Sequence, residues 1–343
     1  MQKVKLSVNE LFSGIGQQTR GIRDTGLFDV EVKCTSDIDK DVTVSYAAIN
    51  CGLTNEMIET YTDYPSREQM VKDLLDRNIG FDFKKNKPYD WNKLARRKSK
   101  DIEKYWLATK LSNNLGDISG IKELPYADLW TCSFCCQDIS VAGNQKGFAE
   151  GSETRSSLVW QQIRLLKSSI SKGEPPKYIM FENVKALVSK KFMPDFQKLI
   201  DVLDELGFNT YYEVINAKNC GIPQNRERVF AICIRKDIDT GKMTFPKPFD
   251  NGLRLKDMLD DKVDEKYYIN NDKADKLINE LIENGTLENP ESDCPVASRG
   301  RYTDDDSTEQ NLEIRNESTA NAITTVSKDS MCLKCSAPSR VSR

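Results

Sequence analysis

Residues 5–16 read Lys5-Leu6-Ser7-Val8-Asn9-Glu10-Leu11-Phe12-Ser13-Gly14-Ile15-Gly16, and this stretch decides the fold. Lys5 to Phe12 is a strand, and a glycine turn follows it at once. Glycine lets a chain turn tightly and lets a ligand approach the backbone, so a strand running into such a turn suits a parallel α/β sheet. A purely structural turn has the same composition. Outward from it, Val30 to Thr35 reads as a second strand ending at Ser36-Asp37-Ile38-Asp39, and Ala127 to Cys132 as a third, running into a cysteine-rich loop. Leu158, Ile163, Leu166 and Ile170 give a helical face before the break at Pro175-Pro176. Tyr178 to Phe181 is a short buried strand followed by Glu182-Asn183-Val184. Phe196, Leu199, Ile200, Leu203 and Leu206 form another helical stripe, stopped by Gly207. Thr210 to Ile215 and Val229 to Ile234 read as a strand pair around a polar loop. Strands alternating with helices predict an α/β fold with a parallel sheet.

The chain has 343 residues, enough for one large domain and a smaller one without disulfide staples. No apolar run approaches the roughly 20 residues that span a bilayer, and the start has no signal-peptide layout. The expectation is a cytoplasmic protein with no membrane partner. There is no histidine, which removes every Ser-His or Cys-His pair and every His metal ligand. Ten cysteines in a reducing compartment are thiols, metal ligands or nucleophiles. A net charge of −3 announces no nucleic-acid partner in bulk. Locally, residues 53–115 form a long insertion whose block from Lys84 to Lys104 is strongly basic. Such a block is either a solvated surface or a contact to a phosphate backbone. The rhythm changes again near Pro246-Lys247-Pro248, so the expected division is a domain over 1–245 and a smaller region over 246–343. That smaller region is acidic, most densely at Asp304-Asp305-Asp306.

Chemistry gathers at strand ends. Asp37 lies about 20 residues past the glycine turn, where an acid accepts hydrogen bonds from ribose hydroxyls. With Thr19 at the third glycine position, the pyrophosphate fingerprint is incomplete, which favours a ligand with ribose and no pyrophosphate. Ser133-Phe134-Cys135-Cys136-Gln137 follows a strand, where a thiol either fills space as a small apolar group or faces a ligand. Glu182 is either a helix cap or a poised acid. Arg226 and Arg228, at spacing two, would share one side of a strand, as a solvated edge or an anion clamp.

Taken in order, Phe-x-Gly-x-Gly at Phe12, Cys-Gln at Cys136, Glu-Asn-Val at Glu182 and Gln-x-Arg-x-Arg at Gln224 resemble the C5-cytosine DNA methyltransferases of bacteria and phages. The resemblance spans roughly Val8 to Arg235. It implies a Rossmann-like S-adenosylmethionine-dependent sheet with helices on both faces and a small irregular target-recognition region. It implies Phe12, Gly14, Gly16, Asp37, Ile38, Asp117, Ile118 and Leu158 at the cofactor. Cys136 would be the nucleophile that attacks cytosine C6, Glu182 would hold N3, and Arg226 and Arg228 would contact the base. The partner implied is double-stranded DNA, with the target base turned out of the helix, in the setting of DNA methylation and restriction-modification.

This sequence departs from the family pattern at Cys135, where the family has a proline that fixes φ and helps aim the thiol. The stretch from Cys335 to Arg343 is small and polar, without the helix and asparagine that close the family pattern. From this we expect a chain that needs a second polypeptide for turnover. A catalytically dead or split relative that binds only DNA or cofactor is the alternative. A further reading joins Cys132, Cys135, Cys332 and Cys335 in a four-thiolate zinc module.

Overall fold

The computed structural model describes residues 2–82, 85, 87–97, 100–139, 146–152, 154–260, 264, 268–269, 276, 279–280, 282–283, 285, 294–302, 308–314, 319–321, 331–334 and 340–342. The chain divides into two compact units, Met1–Glu213 with Val229–Thr244, and Val214–Arg228 with Phe245–Arg343.

The opening stretch forms β1 (Val4–Leu11), and the turn leads into α1 (Gln17–Asp24). β2 (Phe28–Ser36) and α2 (Lys40–Asn50) follow; Asp39 caps α2 by accepting from the Asp41 and Val42 amides. The basic insertion is helical: α3 (Asn55–Thr60), α4 (Arg67–Asp76), a small hairpin of β3 (Phe81–Asp82) and β4 (Lys87–Pro88), α5 (Trp91–Ala95) and α6 (Asp101–Leu111). Thr54, Ser66 and Asp90 start α3, α4 and α5 by accepting backbone amides, the usual work of short polar side chains. The helices close over Leu74, Trp91, Ile102 and Leu107, all fully buried, each stabilising this subcore by about 1.5–3 kcal/mol.

The chain then returns to the sheet as β5 (Leu129–Cys132). A single 3-10 turn, Ser156–Leu158, opens α7 (Val159–Ser171), whose Val159, Ile163 and Leu166 are buried. β6 (Tyr178–Val184), α8 (Met193–Glu205), β7 (Phe208–Asn216), β8 (Gln224–Asn225) and β9 (Glu227–Arg235) complete this part. The main sheet has six strands in the order β2-β1-β5-β6-β9-β7. β1 runs parallel to both β2 and β5, and β5 runs parallel to β6. The chain steps from β1 outward to β2 and then crosses to β5 on the other side of β1. The carboxyl ends of β1, β2 and β5 therefore flank a switch point, where α/β sheets hold their ligands.

In the second unit, β10 (Tyr268–Ile269), β11 (Cys294–Tyr302), β12 (Thr308–Ile314), β14 (Met331–Lys334) and β15 (Arg340–Ser342) form a five-stranded sheet in the order β10-β15-β14-β11-β12, with antiparallel pairing throughout. β13 (Ala320–Asn321) pairs with β8 instead. The sequence reading expects an irregular region here. Segments such as Thr-Glu-Gln-Asn-Leu-Glu-Ile are too polar to show the apolar alternation that marks a strand, which hides the ordered pairing. Asp304 to Asp306 and Ala322 to Thr325 lie outside the described residues.

Candidate functional site

The cofactor candidates are assembled by backbone. Phe12 turns the chain with φ 54°, rare for a side-chain-bearing residue, and Gly14 and Gly16 follow at 52° and 82°. At Gly16 a Cβ would lie 2.6 Å from Asn50 Nδ2 and 2.9 Å from the Tyr46 ring, so only glycine fits. At Gly14 nothing stands within 4 Å of a Cβ, so that face of the turn is open. The Gly14 amide donates to Asp37 Oδ2 at 3.0 Å, and the Asp39 amide donates to Asp37 Oδ1 at 2.9 Å. Asn114 grips the Asp37 backbone from both sides, accepting from its amide and donating to its carbonyl. Burial pushes the Asp37 carboxyl upward, against the hydrogen bonds from Asp39 and Gly14 that favour the charged form.

Asp117 and Ile118 follow Gly116, whose carbonyl accepts from Ser36 Oγ, one residue before this acid. The Ser119 amide donates to Asp117 Oδ1 at 2.9 Å, and Asn78 Nδ2 donates to Asp117 Oδ2 at 3.0 Å. Ile118 is buried, and its carbonyl accepts from Arg164. Asn78 belongs to the insertion and is not among the residues that sequence reasoning singles out; its only local signal is its place two residues before Gly80. The insertion reaches this strip by backbone too: the Gly80 amide donates to the Ile38 carbonyl, and the Asp117 amide to the Arg77 carbonyl. A Cβ on Gly116 would sit 1.9 Å from that Arg77 oxygen. Leu158 is half-buried in the turn that opens α7.

The thiol loop leaves β5. Ser133 donates its amide to the Leu11 carbonyl and accepts from the Gln18 side chain, tying this loop to the glycine turn. Asn183 Nδ2 donates to the Phe134 carbonyl at 3.1 Å, and Ser156 Oγ donates to the Cys135 carbonyl at 2.6 Å. Ser156 and Asp138 also exchange hydrogen bonds through their backbone amides, and Arg155 donates to Gln137 Oε1. Cys136, half-buried, sits between these anchors. Burial pushes the Cys135 thiol up to about 11, helped by the charges of Asp37, Cys136 and Asp138. Asp37 follows β2 and Cys135 follows β5, both parallel to β1, so the two loops leave one edge of the sheet.

Glu182 lies inside β6 rather than after it, because the strand runs on to Val184 with alternating burial. Asn183 takes the buried side and Glu182 the half-exposed side. Arg226 lies between β8 and β9, so only Arg228 occupies a strand, and the two do not share a strand side as their spacing suggests. Asn216 Oδ1 accepts from the Arg226 amide at 3.1 Å, and Arg228 Nη1 donates to the Glu227 carbonyl. Both arginines belong to the second unit. Cys132 is fully buried in β5, its thiol pushed well up by burial, and Cys335 lies outside the described residues. No group of three or more metal-ligating side chains occurs among the described residues, and no helix among them is long and apolar enough to cross a membrane.

A mostly parallel sheet with a glycine turn, a strand-end acid and a thiol loop at one edge is a Rossmann-like arrangement. The family model for C-5 cytosine-specific DNA methylase matches residues 91–334, a stretch that carries Asp117, Cys136, Leu158, Glu182, Arg226 and Arg228. The type II methyltransferase M2.ScrFI of Lactococcus lactis subsp. cremoris is 39% identical over 275 residues, covering 78% of this chain and 71% of that protein. The orphan methyltransferase M.SssI of Spiroplasma monobiae is 33% identical over 274 residues, covering 78% and 68%. Among solved structures, the Entamoeba histolytica methyltransferase EhMeth aligns over 81% of this chain and 65% of its own, at 16% identity and a TM-score of 0.47. The chain belongs to the C-5 cytosine-specific DNA methylase family, a family of DNA-modifying enzymes.

Proposed function

We propose that the chain transfers a methyl group from S-adenosylmethionine to C5 of cytosine in double-stranded DNA. The observation that carries this is the shared edge of the sheet, where the Asp37–Gly14 turn and the Cys136 loop are tied together through Ser133. The residues fit the cofactor. The open face at Gly14 admits a ligand against the backbone, and Asp37 presents a carboxylate of the kind ribose hydroxyls bond. Asp117, Ile118, Ile38 and Leu158 would hold the adenosine end. When bound, S-adenosylmethionine supplies an electrophilic methyl group on a sulfonium.

The remaining work falls to side chains. The target base leaves the duplex to reach the Cys136 loop. The Cys136 thiolate attacks cytosine C6, forming an S–C bond and pushing the C5–C6 electron pair onto C5. Glu182 holds a proton at N3, so the charge pushed into the ring is neutralised. Arg226 and Arg228 are the assigned charge partners of the base. C5, now nucleophilic, takes the methyl group; solvent water then takes the C5 proton, and the freed electron pair re-forms the C5–C6 double bond as the S–C bond breaks and the thiolate leaves. Cysteine suits the role because its thiolate is accessible near neutral pH, and no histidine is needed.

The test is methyl transfer from radiolabelled S-adenosylmethionine to unmethylated duplex DNA, with the product mapped by base. Label at C5 of cytosine is expected. Label on adenine or on an exocyclic amine would overturn the assignment.

A further inference from the structure

The helical insertion has a feature that the methyl-transfer reading leaves unused. A groove of about 660 Å³ opens between the β3–β4 hairpin and α5, lined by Lys85, Lys87, Tyr89, Lys93 and Arg97 among others. Most cations elsewhere in the insertion have partners: Arg67 pairs with Glu103, Lys104 with Asp101, and Lys110 lies over the Trp106 ring. Lys85 likewise pairs with Asp82. Lys87, Lys93, Arg96 and Arg97 are different. None makes an ion pair or ring contact among the described residues. Asp90 caps α5 by accepting from the Lys93 amide and keeps its charge; with Asp82 it also lines the groove, where four cations outnumber these two acids. Lys93 and Arg97 also stand four residues apart, where like charges repel at a cost of about 0.2–0.5 kcal/mol.

The groove floor is rigid. Trp91 is fully buried, its indole nitrogen donating to the Ile79 carbonyl at 2.9 Å, and its ring meets Tyr89 edge-on at 4.8 Å. On its other side the Tyr89 ring faces Lys40, directly after the strand-end acid loop. Uncompensated cations on a stiff floor beside the ligand edge of the sheet suit a polyanion. A duplex presents a negative charge about every 1.7 Å of its length, and so offers several phosphates to one such groove.

We propose that this groove holds backbone phosphates of DNA flanking the methylated base, an attachment separate from base recognition. The proposal rests on the DNA reading above. It is tested with the full chain and a triple variant, Lys87→Gln, Lys93→Gln and Arg97→Gln, by fluorescence anisotropy over a salt series. One duplex is long; the other barely exceeds the target base and its neighbours. On the long duplex the slope of log affinity against log salt should flatten by about 0.9 for each phosphate no longer neutralised, with affinity at 0.1 M salt down about tenfold or more. Affinity for the short duplex, and covalent trapping of 5-fluorocytosine DNA at saturation, should not change. An unchanged slope on the long duplex, or an equal weakening on both duplexes, overturns the groove while the DNA reading stands. A wild-type chain that binds neither duplex overturns both.

Discussion

The loops after β1 and β2 and the loop after β5 leave one edge of one sheet, yet they are held in different ways. The first pair is braced loop against loop: Ser13 donates to the Ser36 carbonyl, Gly14 to the Asp37 carboxylate, and Asn114 clasps Asp37 by amide and carbonyl together. The thiol loop is suspended from residues later in the chain: Asn183 on the carbonyl before Cys135, Ser156 on the carbonyl of Cys135 itself, and Arg155 on Gln137. A loop that only binds gains from being locked, because the ligand then finds its donors already placed. A loop that must deliver a nucleophile to an incoming base needs anchors on either side of the thiol and freedom at it. On this view the braced half sets cofactor affinity, and the suspended half sets chemistry.

Substitutions can separate the two halves. The largest effect should come from Cys136→Ser, which should abolish covalent trapping on 5-fluorocytosine DNA, seen as loss of a gel-stable adduct, while Cys135→Ser retains it. Trapping that survives in the first and vanishes in the second would move the nucleophile to Cys135. Next, Asp37→Ala should weaken S-adenosylmethionine binding by about 1–3 kcal/mol, read by calorimetry, with no loss of trapping when both DNA and S-adenosylmethionine are saturating. Burial raises the Asp37 pKa, and only the ionised carboxylate accepts freely from ribose. Cofactor affinity should therefore be full at higher pH and fall as pH drops through that raised value, a dependence absent in the variant.

A smaller effect is expected from Asn78→Ala, which leaves one Asp117 oxygen without its donor. Cofactor binding should weaken by about 0.5–1.5 kcal/mol, and equal affinity by calorimetry would detach the insertion from the site. The smallest concerns Glu10, buried beneath the turn, which accepts from the Tyr46 hydroxyl at 2.7 Å and the Thr19 amide at 3.3 Å. Burial raises its pKa more than those bonds lower it. A carboxyl raised in the folded state binds more protons there than in the unfolded state, so its stabilisation is fullest at acid pH. It is lost as pH rises through the folded value. Melting temperature measured against pH should fall less steeply above the ordinary carboxylate range in Glu10→Gln than in the parent.

Sequence reading reaches the sheet because its strands are apolar and end in marked turns. Leu129 to Cys132 is buried along its whole length, and such a run needs no context to be recognised. The glycine turn is legible for the same reason: Gly14 and Gly16 close a strand and take positive φ, and the acid at Asp37 ends the next strand, where Gly14 bonds it. Asn78 is not legible, since its partner Asp117 is 39 residues away and an asparagine near a helix end reads as a turn. Arg226 shows a different failure. Spacing alone puts it on a strand with Arg228, but Asn216 takes its amide and ends the short β8 before it. The polar strands of the second unit carry no periodic signal at all, so their pairing emerges only in three dimensions.

The seam between the insertion and the sheet edge carries a main-chain part, Gly80 to Ile38, Asp117 to Arg77, and the close approach at Gly116, beside side-chain bonds such as Asn78 to Asp117. Its main-chain part is indifferent to most side chains. Relatives could exchange nearly every surface residue of these helices over long divergence and keep the join intact, whereas removing the helices outright would leave the main-chain groups at Ile38 and Asp117 without their partners. The insertion is thus free to vary in what it displays and constrained to remain, the condition under which an added segment can acquire work of its own.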